Sequence, residues 1–255
     1  MKKNFEDIIE LSKHLRSPEG CPWDREQTLN TLKSFIVEEA YEVVQAIETN
    51  ETEGLKEELG DLLFQIVFAS QISNEEGKFG IEDVFNQLYY KLVRRHPHVF
   101  GEEKAKDAEE AVRRWQGEKL KEKTRKRNLL EIPHSMPALL RAQRVGEKAS
   151  QVGFDWEKAS DVIEKVKEEL DELQSAIEAN HKNSIEKEWG DLIFSLVNLA
   201  RHLKLDSEST AHRAVDKFIE RFSKVEEKAK GKGRELTELT LKEMDEFWEE
   251  VKKES

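Results

Sequence analysis

Apolar side chains recur every three or four positions along most of the chain, which is the spacing of one face of an α-helix. Residues 52–73 are typical, with apolar positions at Leu55, Leu59, Leu62, Leu63, Ile66 and Val67. No window alternates apolar and polar residues over the length of a strand, so the sequence predicts an all-α protein. The helices are expected at about 4–16, 28–49, 52–73, 81–95, 105–123, 137–152, 161–179, 184–203, 207–228 and 242–253.

Two of these predicted helices, within residues 34–68, carry carboxylates and are joined by a polar turn. Residues three or four apart lie on one helical face, so Glu39 lies beside Glu42 and Glu58 lies beside Asp61. If the helices fold back as a hairpin, the two pairs face each other. Four carboxylates repel one another unless a cation lies between them, and their oxygens suit Mg²⁺ or Mn²⁺.

The chain contains this pattern twice. At an offset of 130 positions, Glu38, Glu39, Glu42, Glu58 and Asp61 (the first acid set) correspond to Glu168, Glu169, Glu172, Glu188 and Asp191 (the second acid set). Five acids would coincide at one given offset by chance on the order of four times in ten thousand. Asn50 with Asn180, and Gly60 with Gly190, agree at the same offset. We therefore predict a tandem repeat whose best-preserved feature is a group of acids.

Length and composition fit two helical domains. The repeat predicts domains at residues 1–127 and 138–255, with a linker at 128–137. Charged residues make up 38% of the chain and hydrophobic residues 37%, which indicates helices with charged surfaces. The single cysteine, Cys21, excludes an internal disulfide and favours a cytoplasmic location. A net charge of −12 argues against a nucleic-acid partner, and the absence of a long apolar run argues against a membrane.

Basic and aromatic residues follow each acid set. Lys91, Arg94 and Arg95 correspond to Lys217, Glu220 and Arg221 at an offset of 126, and Trp115 and Lys119 correspond to Trp248 and Lys252 at 133. A metal, cations for phosphates and an aromatic surface are the parts that a nucleoside triphosphate site needs. The same cations are also compatible with surface ion pairs, and the tryptophans with core packing.

Three motifs resemble the tandem-domain MazG family of all-α nucleoside triphosphate pyrophosphohydrolases. They are Gly20-Cys-Pro-Trp-Asp24 with Gln27-Thr28, the repeated E-E-x-x-E with E-x-x-D, and Arg94-Arg-His-Pro-His-Val-Phe100. The resemblance covers essentially the whole chain and implies helical-bundle domains that form a homodimer. It also implies Mg²⁺-dependent hydrolysis of NTPs, and of dNTPs, to a nucleoside monophosphate and pyrophosphate.

The resemblance implies roles for individual residues. The metal ligands would be Glu39, Glu42, Glu58 and Asp61 in the first repeat, and Glu169, Glu172, Glu188 and Asp191 in the second. Lys217 and Arg221 would bind phosphate, with Lys91, Arg94 and Arg95 as their first-repeat counterparts. Trp248 and Lys252 would lie near the nucleotide, as would Trp115 and Lys119. Glu38 or Glu168 would orient or deprotonate the attacking water.

Two positions depart from the family pattern. Val215 replaces an Asn that often stands two residues before the phosphate-binding Lys, and Glu220 stands where the first repeat has Arg94. Val215 removes a polar side chain that could contact the ribose or base, and Glu220 should make the two sites differ in phosphate affinity. We expect the second repeat to perform most of the catalysis. The alternative is a regulatory helical dimer that binds Mg²⁺ and a nucleotide without turnover. A purely structural repeat would leave the duplicated acids unexplained.

Overall fold

The structure is a computed structural model that describes residues 2–102, 104–124 and 130–254, with only the backbone for 120–124. Every regular element in these ranges is helical, which confirms the predicted all-α class. The α-helices are α1 (Phe5–Arg16), α2 (Pro22–Glu26), α3 (Leu32–Glu48), α4 (Thr52–Glu75), α5 (Ile81–Arg95), α6 (Pro97–Phe100), α7 (Ala108–Thr124), α8 (Ala138–Ser150), α9 (Ala159–Glu178), α10 (Lys182–His202), α11 (Ser207–Gly231) and α12 (Leu241–Glu254). A 3₁₀ turn at Leu236–Glu238 precedes α12. Within the described ranges, no helix has the length and apolar character needed to cross a membrane.

The chain divides into two compact units, Met1–Lys119 and Leu120–Ser255. The predicted domain end at residue 127 and the start of the predicted linker at 128 lie outside the described residues, so those boundaries stay predictions. Part of the predicted linker packs with the second unit, because Ile132 is buried there. The Lys148 ammonium group also donates to the carbonyl oxygen of Glu131 at 2.6 Å.

In the first unit, α3 and α4 form the predicted hairpin, and α1 and α5 pack against α4. Asn50 ends α3 with a φ of 57°, a left-handed conformation that Asn and Gly tolerate better than other residues. The turn closes when the backbone N–H of Glu51 donates to the carbonyl oxygen of Ala46 at 3.0 Å. Leu32, Phe68 and Ile72 form the buried core of this unit.

The motif at residues 20–28 spans the short helix α2 and its flanking turns, and Arg16 bonds both this segment and α4. The Arg16 guanidinium donates to both oxygens of Glu75 at 2.7–3.0 Å. It also donates to the carbonyl oxygens of Asp24 and Gln27 at 2.6 and 3.1 Å. A Cβ on Gly20 would lie 2.2 Å from the carbonyl oxygen of His14, so only glycine fits this close turn. The motif is therefore explained by local packing.

In the second unit, α9 and α10 form the equivalent hairpin, α8 packs on α10, and α11 packs on α8 and α12. Asn180 repeats the left-handed conformation of Asn50, with a φ of 50°. The loop before α9 is fixed by Asp155, which accepts hydrogen bonds from Arg201 at 2.8 and 2.5 Å and from the His202 ring at 3.0 Å. The core where α11 meets α12 consists of Val225, Ala229, Phe247 and Val251.

Some element boundaries differ from the prediction. The short helices α2 and α6 were not predicted, because four or five residues are too few to show a helical period. Both begin at a proline, which the first helical position tolerates. The structure also starts α3 at Leu32 rather than Thr28. Thr28 and Thr31 instead exchange side-chain hydrogen bonds to each other's backbone N–H at 2.9 and 3.2 Å, which builds a turn before the helix.

Candidate metal and nucleotide sites

The first hairpin brings three members of the first acid set together. Glu39 on α3, and Glu58 and Asp61 on α4, each offer a carboxylate oxygen within 4.8 Å of the other two. The fourth predicted ligand, Glu42, is exposed and lies outside this group. It is nevertheless close enough to Glu58 to raise the pKa of that carboxyl. The hairpin therefore brings three of the four predicted ligands together from two facing helices.

The acids of the first group repel one another. Burial raises the pKa of Glu39, and the nearby Asp61 raises it further. Burial also raises the pKa of Glu58, followed by repulsion from Glu42 and Glu57. The Gln65 amide donates a hydrogen bond to Glu39 of this group at 3.4 Å. A divalent cation with oxygen ligands would relieve this repulsion, so the residues fit one.

The second hairpin groups a different three acids. Glu169, Glu172 and Glu188 each place a carboxylate oxygen within 4.8 Å of the others. Burial, and then the charge of Glu188, raises the pKa of Glu172. The Oε2 atom of Glu188 is buried and has no hydrogen-bond partner among the described residues, and such a carboxylate oxygen also fits a cation. The fourth predicted ligand, Asp191, lies outside the group and pairs with Lys187 at 3.4 Å.

Two lysines contact the second acid set. The Lys165 ammonium group lies 2.8 Å from both Glu168 and Glu169. The Lys187 ammonium group lies 2.9 Å from Glu188 as well as near Asp191. Neither lysine was predicted from the sequence. A lysine three or four residues from an acid is common along this chain, so the spacing did not distinguish these two from other surface lysines.

The two proposed water-orienting acids lie outside the three-acid groups. Glu38 is exposed on α3, next to the ligand candidate Glu39. Glu168 is also exposed but shares Lys165 with Glu169. Either carboxylate has a side accessible to water.

In the first unit, the predicted aromatic and basic residues form one cluster. The Arg95 guanidinium lies 5.9 Å from the centre of the Trp115 ring, and the Lys119 ammonium group lies 4.6 Å from it. Both distances are in the range of cation–π contacts. Lys91 and Arg94 lie on the same helix as Arg95, near the end of α5. No lysine or arginine of the described residues forms an ion pair with the first acid set.

In the second unit, Lys217 and Arg221 lie one turn apart on α11. Neither forms an ion pair within the described residues, and the Arg221 Nε atom is buried without a hydrogen-bond partner. Both cations are therefore free to bind an anion. Lys252 differs from its first-unit counterpart Lys119, because it pairs with Glu249 at 2.6 Å.

Trp248 packs against the core of the second unit and also lines an apolar cleft. One part of the side chain packs on the core of α11 and α12, as the core-packing alternative predicts. The ring centre also lies 5.1 Å from that of Phe218, whose ring stacks on Phe222 at 5.8 Å. The cleft has a volume of about 420 Å³ and is lined by Phe218, Phe222, Val225, Leu241, Met244, Asp245 and Trp248. Phe218 and Phe222 were missed from sequence, although they flank the selected Lys217 and Arg221.

Residues 27–100 and 157–226 match the family model described as the MazG nucleotide pyrophosphohydrolase domain. The two segments make up more than half of the chain. The chain belongs to the MazG family. Both acid sets and all the selected cations of α5 and α11 lie inside the matched segments of this MazG-family chain. Trp115, Lys119, Trp248 and Lys252 lie outside them.

Full-length relatives agree with this assignment. The chain is 46% identical to the nucleoside triphosphate pyrophosphohydrolase/pyrophosphatase MazG of Thermotoga maritima, over 97% of this chain and 95% of the relative. It is 42% identical to the nucleoside triphosphate pyrophosphohydrolase of Escherichia coli K12, over 96% of both chains. A crystal structure of a mazG-related protein from Thermotoga maritima covers 45% of this chain and 98% of its own, at 29% identity and a TM-score of 0.40. The predicted family, and with it the class of hydrolase, is confirmed.

Proposed function

We propose that this chain is a Mg²⁺-dependent enzyme that hydrolyses nucleoside triphosphates to a nucleoside monophosphate and pyrophosphate. The observation that supports this most strongly is the pair of three-acid groups, one in each hairpin of the repeat. Both lie within segments that match a pyrophosphohydrolase domain. Mn²⁺ should substitute for Mg²⁺, because both accept carboxylate oxygens.

The acid sets supply the metal ligands in this proposal. Glu39, Glu58 and Asp61 would hold the ion in the first unit, and Glu169, Glu172 and Glu188 in the second, with Glu42 and Asp191 as nearby further ligands. When bound, the metal neutralises phosphate charge and makes a bound water more acidic. Glu38 or Glu168 orients the attacking water or takes its proton, so no covalent intermediate is needed.

The free cations of α11 bind the triphosphate. Lys217 and Arg221 share one helix face and have no ion-pair partner within the described residues, so both are available to phosphate oxygens. They stabilise the charge that develops on the departing pyrophosphate. Arg95 and Lys91 would act in the same way in the first unit.

The aromatic cleft beside Trp248 provides a surface for the base. Its volume of about 420 Å³ lies in the size range of small-ligand pockets. Its lining is apolar apart from Asp245, so it offers stacking area and few hydrogen bonds that could distinguish one base from another. We therefore expect broad base tolerance.

The active form is proposed to be a homodimer. Exposed apolar residues recur every seven positions on the second hairpin: Ile163, Leu170 and Ile177 along α9, Trp189 and Leu196 along α10, and Leu203 directly after α10. Each of them is at least 40% exposed. A seven-residue apolar repeat is the pattern of a helix-packing seam. A second copy of this chain offers a matching seam.

The product distinguishes this function from the alternative of a regulatory nucleotide-binding dimer. The protein should be incubated with each NTP and Mg²⁺, and pyrophosphate and orthophosphate should be measured separately. The proposal expects pyrophosphate and nucleoside monophosphate in equal amounts, and no turnover after the metal is removed with a chelator. Orthophosphate as the direct product would contradict cleavage between the α- and β-phosphates. Nucleotide binding without any product would favour the regulatory dimer.

A further inference from the structure

The two acid sets differ in the charges that surround them. At the offset of 130, Lys165 and Lys187 of the second unit correspond to Phe35 and Glu57 of the first. The second set therefore gains two positive charges from its own helices, whereas the first set gains a sixth negative one.

The contacts show that the lysines of the second unit balance acids that a cation would otherwise neutralise. Lys165 bonds Glu169, whose side chain is only 7% exposed. Lys187 bonds Glu188, whose side chain is 13% exposed. A charge-assisted hydrogen bond to a buried carboxylate is stronger than one at the surface. The lysines thus occupy carboxylate oxygens of two of the three acids that could hold a metal.

The equivalent positions in the first unit have the opposite effect. Phe35 packs against the core of Leu32, Phe68 and Ile72 and brings no charge to the acids. Glu57 is exposed and lies next to Glu58 on α4, so it adds a negative charge beside the acids. The described residues place no ammonium or guanidinium group in an ion pair with the first set. A divalent ion from solution would therefore relieve the repulsion within this set.

We infer that Lys165 and Lys187 make the two acid sets unequal toward divalent cations. The first set binds a divalent ion at low concentration without a nucleotide. Without a nucleotide, the carboxylates of the second set stay paired with Lys165 and Lys187. This set binds the ion tightly only together with a triphosphate, because the negatively charged phosphates give the two lysines another partner. This inference rests on the proposed metal-dependent function, and it adds an order of binding to it.

Mn²⁺ titration of the full-length protein without nucleotide, followed by the electron paramagnetic resonance signal of free Mn²⁺, tests this inference. The wild-type protein should show a tighter and a weaker class of site, and Glu58→Gln should remove the tighter class. The double variant Lys165→Met with Lys187→Met should tighten the weaker class by about ten-fold, since a positive charge beside the ion is removed. Lys230→Met is the matched control, because this exposed lysine of α11 pairs with Glu226 at 2.7 Å and does not line the cavity beside the second acid set.

The reciprocal variant Glu57→Lys places a lysine beside the first set. Because Glu57 is exposed, this change leaves the core intact, and it should weaken the tighter class by about ten-fold. The inference is overturned if Glu188→Gln removes the tighter class of site. It is also overturned if the double lysine variant changes the Mn²⁺ dissociation constant of the weaker class, and Glu57→Lys that of the tighter class, by less than about two-fold. An absence of Mn²⁺ binding in the wild-type protein, with and without a triphosphate, would instead reject the metal-dependent function itself.

Discussion

At the scale of single residues, the two asparagines at the hairpin turns recur at the repeat distance in the sequence. Asn50 and Asn180 both adopt the left-handed conformation that follows a helix end. The sequence shows that they recur, but only the structure shows the backbone conformation that explains why both are asparagine. The lysines at 165 and 187 could not be selected, because their significance depends on the burial of the acids they contact.

Substitution at Asn180 tests the conformational explanation. A β-branched residue is strained at a positive φ, so Asn180→Val should lower the free energy of unfolding by about 1–2 kcal/mol. Asn180→Gly should be nearly neutral, because glycine accepts this conformation. Urea unfolding followed by circular dichroism measures both. An equal loss in the two variants would show that the asparagine side chain matters for another reason.

Asp155 gives a pH dependence whose sign follows from its contacts. Hydrogen bonds from Arg201 lower the pKa of Asp155 to about 2, from an ordinary value of 3.8. The ionised Asp155 therefore stabilises the folded protein fully above about pH 4, and this stabilisation is lost as the pH falls toward about 2. Asp155→Asn should reduce the free energy of unfolding by up to about 2 kcal/mol at neutral pH.

The control for this prediction is Asp216→Asn, at an exposed aspartate of α11. Unfolding in urea at several pH values should show that the difference between wild type and Asp155→Asn shrinks below about pH 4. A difference that stays constant down to about pH 2 would contradict the assigned ion pair.

At the scale of elements, the helical period predicted the long helices and failed at the short ones. The α3–α4 and α9–α10 hairpins were predicted because each helix shows several turns of apolar spacing. The α2 and α6 helices are too short for that signal. The segment that contains α2 is held by a residue outside it, because Arg16 bonds the carbonyl oxygen of Asp24 in α2 and the carboxylate of Glu75 in α4.

Arg16→Met should therefore destabilise the first unit. The Arg16 side chain is 9% exposed, so its removal leaves the carbonyl oxygens of Asp24 and Gln27 and a partly buried carboxylate without their donor. We expect a loss of about 3 kcal/mol in the free energy of unfolding. Lys13→Met, at an exposed lysine that pairs with Glu10, is the control. A loss below about 0.5 kcal/mol would show that the α2 segment does not depend on Arg16.

At the scale of the whole molecule, the internal repeat predicted two copies of one helical unit. The structure adds that the copies differ: each groups three acids, but Asp61 belongs to the first group while its counterpart Asp191 does not belong to the second. The two sets contain the same residue types at the same spacing, so the sequence could not predict this difference. In the second unit, Asp191 pairs with Lys187 at 3.4 Å.

The proposed dimer can be tested on the exposed seam of α9. Ile177→Lys places a charge in an apolar position that is 55% exposed in the single chain. If a second copy covers this seam, the variant should dissociate to monomers in light scattering coupled to size-exclusion chromatography. Ser175→Lys, at an exposed polar position on the opposite side of the same helix, should remain a dimer. A wild-type protein that is monomeric at all concentrations would reject the proposal.

The most direct measurement of the central claim compares pyrophosphate release by Glu58→Gln, Glu188→Gln and the double variant, with Glu53→Gln and Glu186→Gln as exposed controls. Each substitution removes one carboxylate charge and keeps the side-chain volume. We predict that the double variant loses nearly all activity, that Glu188→Gln alone loses most of it, and that both controls stay close to wild type. A double variant that hydrolyses triphosphates as fast as the controls would contradict the assignment of either acid set to the reaction.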